Sequence, residues 1–116
     1  MRLAAFALVL ALAGGPAAHA ANIDVKDAAA HVGQTATVVG VLSNMHQARN
    51  SMIFVDMGGV YPANTFSAVV FATDAGKFGF LQALIGKRVG ITGQIKMYHD
   101  KPEIVLTAPD QIKQVK

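Results

Sequence analysis

Apolar and polar positions alternate along much of this 116-residue chain, and this pattern predicts a mostly β fold. The clearest alternation covers residues 88–98, where Val89, Ile91 and Met97 share one side and polar or charged residues take the other. We expect the side that carries Met97 to face the core. Five runs in total have strand character: residues 35–42, 51–57, 66–73, 88–98 and 103–107.

Two further segments have the spacing of short helices. Residues 22–32 contain Asp24, a suitable N-cap, and end before Gly33. Residues 76–86 place apolar side chains on one helical face, and Gly86 is suited to end that helix. The predicted order is therefore helix, three strands, helix and two strands.

Polar and glycine-containing segments interrupt and join these elements. Residues 43–50 and 58–65 are predicted loops, since they are rich in Asn, Gly, Pro and other turn residues. Gly40 and Gly93 stand at matching positions of two similar apolar stretches. We interpret both as bends that let a five-stranded sheet close into a small barrel, and two chance strand glycines are the alternative.

Residues 1–20 have the pattern of an export signal. A basic residue precedes an apolar run at residues 3–13, and small residues at Ala18 and Ala20 form a signal-peptidase site. The apolar run is too short to span a bilayer, which takes about 18 apolar residues or more. We therefore expect cleavage after Ala20, a periplasmic protein with no membrane anchor, and one domain at residues 21–116.

Composition excludes several classes of function. The chain has no cysteine, which excludes a disulfide, a thiolate nucleophile, a cysteine-ligated metal and a lipid anchor on cysteine. The formal charge of +3 includes Arg2, so the domain without the signal has nine basic and seven acidic residues, a net of +2. So small a charge gives no strong attraction for polyanions. The net charge alone therefore does not indicate a class of binding partner.

A set of segments carries a family resemblance. They are Val38-Val39-Gly40-Val41, Phe54-Val55-Asp56, residues 66–71, residues 86–93, Tyr98 with residues 101–106, and Pro109-Asp110-Gln111-Ile112. Together they resemble OB-fold domains of the tRNA-anticodon-binding type, described as nucleic-acid-binding, and especially small exported bacterial versions. The resemblance spans about residues 32–115 and is most specific in the last hairpin, where His99 and Asp100 replace the usual turn glycine.

This resemblance implies a fold and a place for the ligand. The fold is a five-stranded OB-fold barrel with a short N-terminal helix and a helix between strands 3 and 4. OB folds bind oligonucleotides or oligosaccharides across strands 2 and 3, between the loops that follow strands 1 and 4. In this chain those loops contain residues 44–50 and 98–101.

Single-stranded nucleic acid needs aromatic rings for stacking and cations for the backbone. The candidate ligand-binding residues that meet this need are His46, Arg49, Tyr61, Lys96, Tyr98, His99 and Lys101. The alternative is that Tyr98 covers the end of the barrel and the lysines are solvated surface. We expect weak, salt-sensitive binding of single-stranded nucleic acid, with no cofactor.

Other ligand classes stay open at this point. Met45, His46, Met97 and His99 are a minor alternative as Cu(I) ligands, because thioethers and imidazoles suit that soft cation, although Met also commonly fills core gaps. A periplasmic glycan, a protein or a cationic ligand is a further alternative. The loop at residues 58–65 is either a contact for a protein partner or a cover over the domain itself.

Catalysis is the function that the sequence favours least. His31, His46 and His99 belong to no recognisable nucleophile or metal-hydrolase motif. Asp56 is a lone carboxylate that we expect to cap the glycine turn beginning at Gly58 rather than to act as a base. The sequence therefore predicts a non-catalytic, exported OB-fold binding module.

Overall fold

The computed structural model describes residues 20–116 and shows a mostly β protein, as the alternation predicts. The strands are β1 Ala21–Asp24, β2 Thr35–Gln47, β3 Ile53–Met57, β4 Phe66–Val70, β5 Arg88–Gln94, β6 Lys96–Tyr98, β7 Lys101–Val105 and β8 Ile112–Gln114. Stretches of 3-10 helix occupy Val25–His31, Ala72–Leu84 and Pro109–Gln111. The predicted export signal, apart from Ala20, lies outside the described residues. No helix in the described range is long and apolar enough to cross a membrane.

The eight strands of this range form one open sheet. Its order is β6-β7-β4-β3-β2-β5-β8, with β1 added in parallel to β2. The hydrogen-bonded path ends at β6 and at β8. The predicted closed barrel of five strands is therefore wrong in its closure and in its strand number. The five predicted strands correspond to β2, β3, β4, the β5 and β6 pair, and β7, whereas β1 and β8 are additional.

The predicted strand at residues 88–98 is divided at Ile95, and this division opens the sheet. Ile95 is fully buried, its N–H donates to the carbonyl of Gln34 at 2.9 Å, and its own carbonyl accepts from Gly33 at 2.7 Å. β5 pairs with β2, whereas β6 pairs with β7. The chain at Ile95, rather than a hydrogen-bonded ladder, therefore connects β6, at one end of the sheet, to β5, the neighbour of β8 at the other end.

β6 is an exposed edge strand, and this corrects the expectation for Met97. All three of its residues are exposed, and Met97 is 52% exposed. The side chain of Met97 is exposed to solvent because β6 extends past Ile95, the last residue of this segment that packs into the core. His99 and Asp100 then turn the chain with φ values of 49° and 65°, as a two-residue hairpin requires, so the predicted tight turn is confirmed.

β2 is longer than predicted and pairs with strands in both halves of the sheet. It spans Thr35–Gln47, pairing with β5 through its first half and with β3 through its second half. The register shifts between Leu42 and Asn44, and such a bulge bends a strand. The predicted loop at residues 43–50 is therefore wrong in its first part, because His46 lies on a strand.

The helical segments differ from the prediction in length and type. Asp24 is confirmed as an N-cap, since its side chain accepts the N–H two residues later at 3.0 Å. The residues before it form β1 rather than helix. The second segment, Ala72–Leu84, begins earlier than predicted and buries Phe78 and Leu81. Gly86 follows it with a φ of 85°, which favours glycine where the helix ends.

The core fills the space inside the curved sheet. Its fully buried side chains include Leu42, Val55, Met57, Phe66, Phe78, Leu81, Ile91, Ile95, Ile104 and Leu106. A Cβ on Gly93 would lie 2.6 Å from Cγ2 of Ile104, and one on Gly40 would lie 2.7 Å from Cγ1 of Val25. The two glycines interpreted as bends are thus positions where neighbouring elements approach too closely for a side chain.

Gly93→Ala should destabilise the protein, because the added methyl group overlaps Ile104 where β5 meets β7. Overpacking of this kind costs about 1–3 kcal/mol. Gly79→Ala is the matched control, since a Cβ there meets no atom within 4 Å. We expect the urea midpoint to fall for Gly93→Ala and to stay level or rise for Gly79→Ala. Equal midpoints for the two variants would contradict the close approach.

Candidate ligand-binding cleft

The pairing register places a row of polar side chains across five strands. Residues that lie directly opposite each other in neighbouring strands share one face of a sheet. The register thereby aligns one residue from each of β2, β3, β4, β7 and β6. This polar row is Asn44, Asp56, Ser67, Glu103 and Lys96. It crosses β3 and β4, the strands where the resemblance places the ligand face.

Aromatic rings flank the polar row on both sides. On one side, His46 stacks on Phe54 across the β2 and β3 pair, with 5.1 Å between ring centroids and 17° between planes. On the other side, Tyr98 meets His99 edge to face at 4.1 Å between centroids. Tyr61, from the loop at residues 58–65, adds a further ring. The polar row therefore runs between two aromatic walls.

These side chains enclose an open cleft of about 700 Å³, a volume within the usual range of small-molecule sites. The residues that line it are His46, Phe54, Asp56, Tyr61, Pro62, Asn64, Ser67, Tyr98, His99, Lys101, Pro102 and Glu103. They come from β2, β3, β4, β6 and β7, from the loop at residues 58–65, and from the turn between β6 and β7. Most of the cleft is thus formed by the strands and loops where the OB-fold resemblance predicts the ligand.

The ammonium of Lys101 ties the loop at residues 58–65 to β7. Its Nζ donates to the carbonyl of Pro62 at 2.6 Å and to Oδ1 of Asn64 at 3.0 Å. It also lies 5.4 Å from the centre of the Tyr61 ring. These contacts hold the loop against the domain's own face, as one of the two interpretations of this loop expects. Tyr61 is still 67% exposed beside the cleft.

Asn64 completes this attachment from within the loop. Its side chain is buried, and its Nδ2 donates to the carbonyl of Phe66 at 3.1 Å and to Oγ of Ser67 at 2.9 Å. Its Oδ1 accepts from Lys101, as described above. The amide therefore links the loop both to the polar row, through Ser67, and to β7, through Lys101.

Asp56 lies on the floor of the cleft and is 1% exposed. Burial raises the pKa of its carboxyl above the ordinary 3.8, while His46, the backbone N–H of Tyr61 and Lys101 limit the rise. No donor from the described part of the chain bonds to Oδ2. A buried acceptor without a donor costs about 1–3 kcal/mol, so Asp56 favours a ligand that supplies one.

Glu103 is the second carboxylate of the polar row. Burial raises its pKa above the ordinary 4.5, and the charges of Lys96 and His99 oppose that rise. The two acidic groups, Asp56 and Glu103, face two lysines, Lys96 and Lys101, at this end of the sheet. The cleft is therefore close to charge balance, unlike the strongly basic groove of a tight nucleic-acid binder.

The structure brings together most of the residues predicted from sequence to bind ligand. Those that line the cleft are His46, Tyr61, Tyr98, His99 and Lys101. Lys96 ends the polar row and influences Glu103 by its charge. Arg49 lies in the exposed turn between β2 and β3 and is not among the lining residues.

The residues considered for Cu(I) are not gathered into one site. Met45 packs against the core, and Met97 lies exposed on β6. Neither lines the cleft with His46 and His99. Within residues 20–116, no three His, Cys, Asp or Glu side chains are grouped closely enough to hold a metal ion.

The polar and aromatic residues of the cleft that are absent from the predicted ligand set are Phe54, Asp56, Asn64, Ser67 and Glu103. The alternation of β3 carries the signal for two of them, because Ile53, Val55 and Met57 are buried in the core and leave the even positions for the other face. For Asp56, which the sequence predicts to cap the glycine turn beginning at Gly58, the backbone N–H that lowers its pKa is that of Tyr61 in the same loop.

Comparison with known proteins adds information on the fold. No family model matches the chain, and no curated protein matches it. The solved structure of aspartyl tRNA synthetase from Entamoeba histolytica is 20% identical with a TM-score of 0.56, covering 84% of this chain and 22% of that one. Asparaginyl-tRNA synthetase from Entamoeba histolytica is 24% identical with a TM-score of 0.54, covering 83% of this chain and 24% of that one.

The chain thus spans less than a quarter of the length of these synthetases. At such low identity the likeness shows a shared fold. It confirms the OB fold that the resemblance implies, apart from the closure of the barrel and the number of strands. The chemistry of the cleft, rather than the fold, determines the ligand, because one fold carries many functions.

Lys101→Met should destabilise the protein by about 1–2 kcal/mol, because buried Asn64 loses the donor to its Oδ1. Lys113→Met, on exposed edge strand β8, is the matched control and should change the free energy of unfolding little. Urea unfolding measures both variants. Equal effects of the two substitutions would show that the ammonium of Lys101 does not hold the loop.

Asp56→Asn should stabilise the protein at neutral pH, because burial penalises the charged carboxylate. The folded-state pKa lies above the ordinary 3.8, so the folded protein binds the proton first as the pH falls. The wild type should therefore recover stability between that raised pKa and 3.8, and the variant's advantage should shrink. Urea unfolding at neutral pH and near pH 3.8 measures this difference. A pH-independent difference would contradict the assignment.

Proposed function

We propose that this protein is an exported, periplasmic, non-catalytic OB-fold module that binds single-stranded nucleic acid weakly in the cleft. The observation that carries the proposal is the set of rings on the open face: Phe54 stacked with His46, together with Tyr61 and Tyr98. Stacking of a base on an aromatic side chain contributes about 1–3 kcal/mol and tolerates any sequence. OB folds bind oligonucleotides across this same face.

The charges around the cleft support weak rather than tight binding. The ammonium of Lys101 is already hydrogen-bonded to the loop, which leaves Lys96 as the more exposed cation of the polar row. Asp56 and Glu103 repel phosphates when they are ionised. With few phosphate contacts, the logarithm of the affinity should fall by only about 0.7 per contact for each tenfold rise in salt.

A cationic ligand is the second candidate, and the two carboxylates favour it. Asp56 and Glu103 lie in one polar row between the rings of Phe54 and Tyr98. Aromatic faces attract ammonium and guanidinium groups, and more strongly where the cation loses water. A cation would also relieve the cost of burying ionised carboxylates.

Phe54→Leu should weaken binding of a fluorescent oligo-dT of about nine nucleotides, a length within the ~4–16 that one OB fold covers. Loss of one stacked base predicts a roughly 5- to 150-fold fall in affinity. Phe80→Leu is the matched control, because Phe80 lies on the Ala72–Leu84 segment and does not line the cleft. Fluorescence anisotropy at low salt measures the affinities.

Equal affinities of wild type and Phe54→Leu would contradict the placement of the nucleic acid in the cleft. Binding of tetramethylammonium or an arginine-rich peptide, with no binding of oligo-dT, would replace the first candidate with the second. Cleft binding of a cation should weaken in Glu103→Gln, whereas cleft binding of oligo-dT should strengthen, because the substitution removes one negative charge.

A further inference from the structure

The centre of the polar row presents hydrogen-bond acceptors to the cleft. Asp56 on β3 and Glu103 on β7 lie on either side of Ser67 on β4. Asp56 is 1% exposed, and its Oδ2 receives no hydrogen bond from the described residues. Buried acceptors in native proteins are almost always paired. The floor of the cleft is therefore suited to a ligand that carries N–H donors.

An aromatic ring lies beside this acceptor on the same strand. Phe54 and Asp56 are two residues apart on β3 and both line the cleft, so they are separated by about 6–7 Å along the strand. A planar heterocycle stacked on Phe54 can turn one edge toward Asp56. Stacking and edge recognition are the two interactions by which proteins read unpaired bases.

The bases differ in what they would offer to a carboxylate. Guanine has two adjacent donors on its Watson–Crick edge, N1–H and the exocyclic amino group at N2. Adenine and cytosine place a ring-nitrogen acceptor beside a single amino donor, and thymine places carbonyls on both sides of its N–H. If one of these bases placed its acceptor atom against the buried carboxylate, neither the base atom nor the carboxylate oxygen would receive a hydrogen bond. Leaving buried acceptors unpaired costs free energy.

We propose that the cleft prefers guanine, with the carboxylate of Asp56 accepting N–H donors from the base while its ring stacks on Phe54. This inference rests on the proposed function and adds a base preference to it. Glu103, two strands away from Asp56, contributes negative charge near the ligand but does not select the base.

The test compares oligo-dT with the same oligonucleotide carrying one central dG, dA or inosine, each measured by anisotropy against the purified wild-type protein. A single guanine in this background cannot form a quadruplex. One well-made base contact predicts about tenfold tighter binding of the dG oligonucleotide than of oligo-dT. Inosine lacks the amino group at N2 and should bind between the two, while dA should bind like oligo-dT.

Asp56→Asn is the decisive variant, because the amide keeps the shape of the side chain and replaces one acceptor oxygen with a donor. We expect its ratio of dG to oligo-dT affinity to fall to about one. Glu103→Gln removes the same charge from the same polar row. It should tighten both oligonucleotides equally and leave the ratio unchanged.

The outcomes separate this inference from the function on which it rests. If oligo-dT binds the wild type and the dG oligonucleotide binds no better, the guanine preference is wrong while the proposed function stands. If no oligonucleotide binds, the proposed function itself fails. A preference that survives in Asp56→Asn, or that Glu103→Gln abolishes, would also overturn the role of Asp56. The comparison of inosine with guanine uses only the wild-type protein. It therefore tests the base preference even if a variant fails to fold.

Discussion

The candidate site depends most directly on the attachment of one loop by the ammonium of Lys101. That group donates to Pro62 and to Asn64, and Asn64 in turn donates to Ser67 of the polar row. The attached loop brings Tyr61 to the edge of the cleft, where its backbone N–H limits the rise in the pKa of Asp56. The position of Tyr61 at the cleft therefore depends on the hydrogen bonds of Lys101.

The cleft combines properties that usually belong to different binders. Its rings resemble the stacking platforms of single-strand binders, whereas its two carboxylates have raised pKa values because burial penalises their charge. A ligand held by stacking and by N–H donors gains from both features. A ligand held through its phosphates gains little, since Lys101 already has protein partners. For the proposed nucleic-acid ligand, the chemistry of the cleft thus favours recognition of bases over recognition of the backbone.

Much of the fold follows from the pattern of residues, because β-strand alternation and turn residues are local signals. The turn at His99 and Asp100 and the N-cap at Asp24 are examples that the structure confirms. The division of a strand at Ile95 is not local, since it depends on hydrogen bonds to residues 33–34. The exposure of Met97 follows from that division and could not be read from alternation alone.

The candidate site could also be predicted only where local signals suffice. Alternation within β3 is enough to place Phe54 and Asp56 on one face, although the prediction did not use it. The sequence marks Lys101 as a cation for a ligand, but its partners Pro62 and Asn64 are about forty residues away along the chain. The polar row likewise depends on the register of five strands, and register is set by tertiary contacts together with turns.

An NMR titration of isotopically labelled protein with a short oligonucleotide tests the central claim most directly. Binding in the cleft predicts that the backbone amides of Phe54, Asp56, Tyr61 and Tyr98 shift in proportion to ligand added, while those of β8 stay in place. Shifts confined to another surface, such as the second cavity lined by Thr37, Thr92 and Lys113, would contradict the claim. So would the absence of any shift at millimolar oligonucleotide.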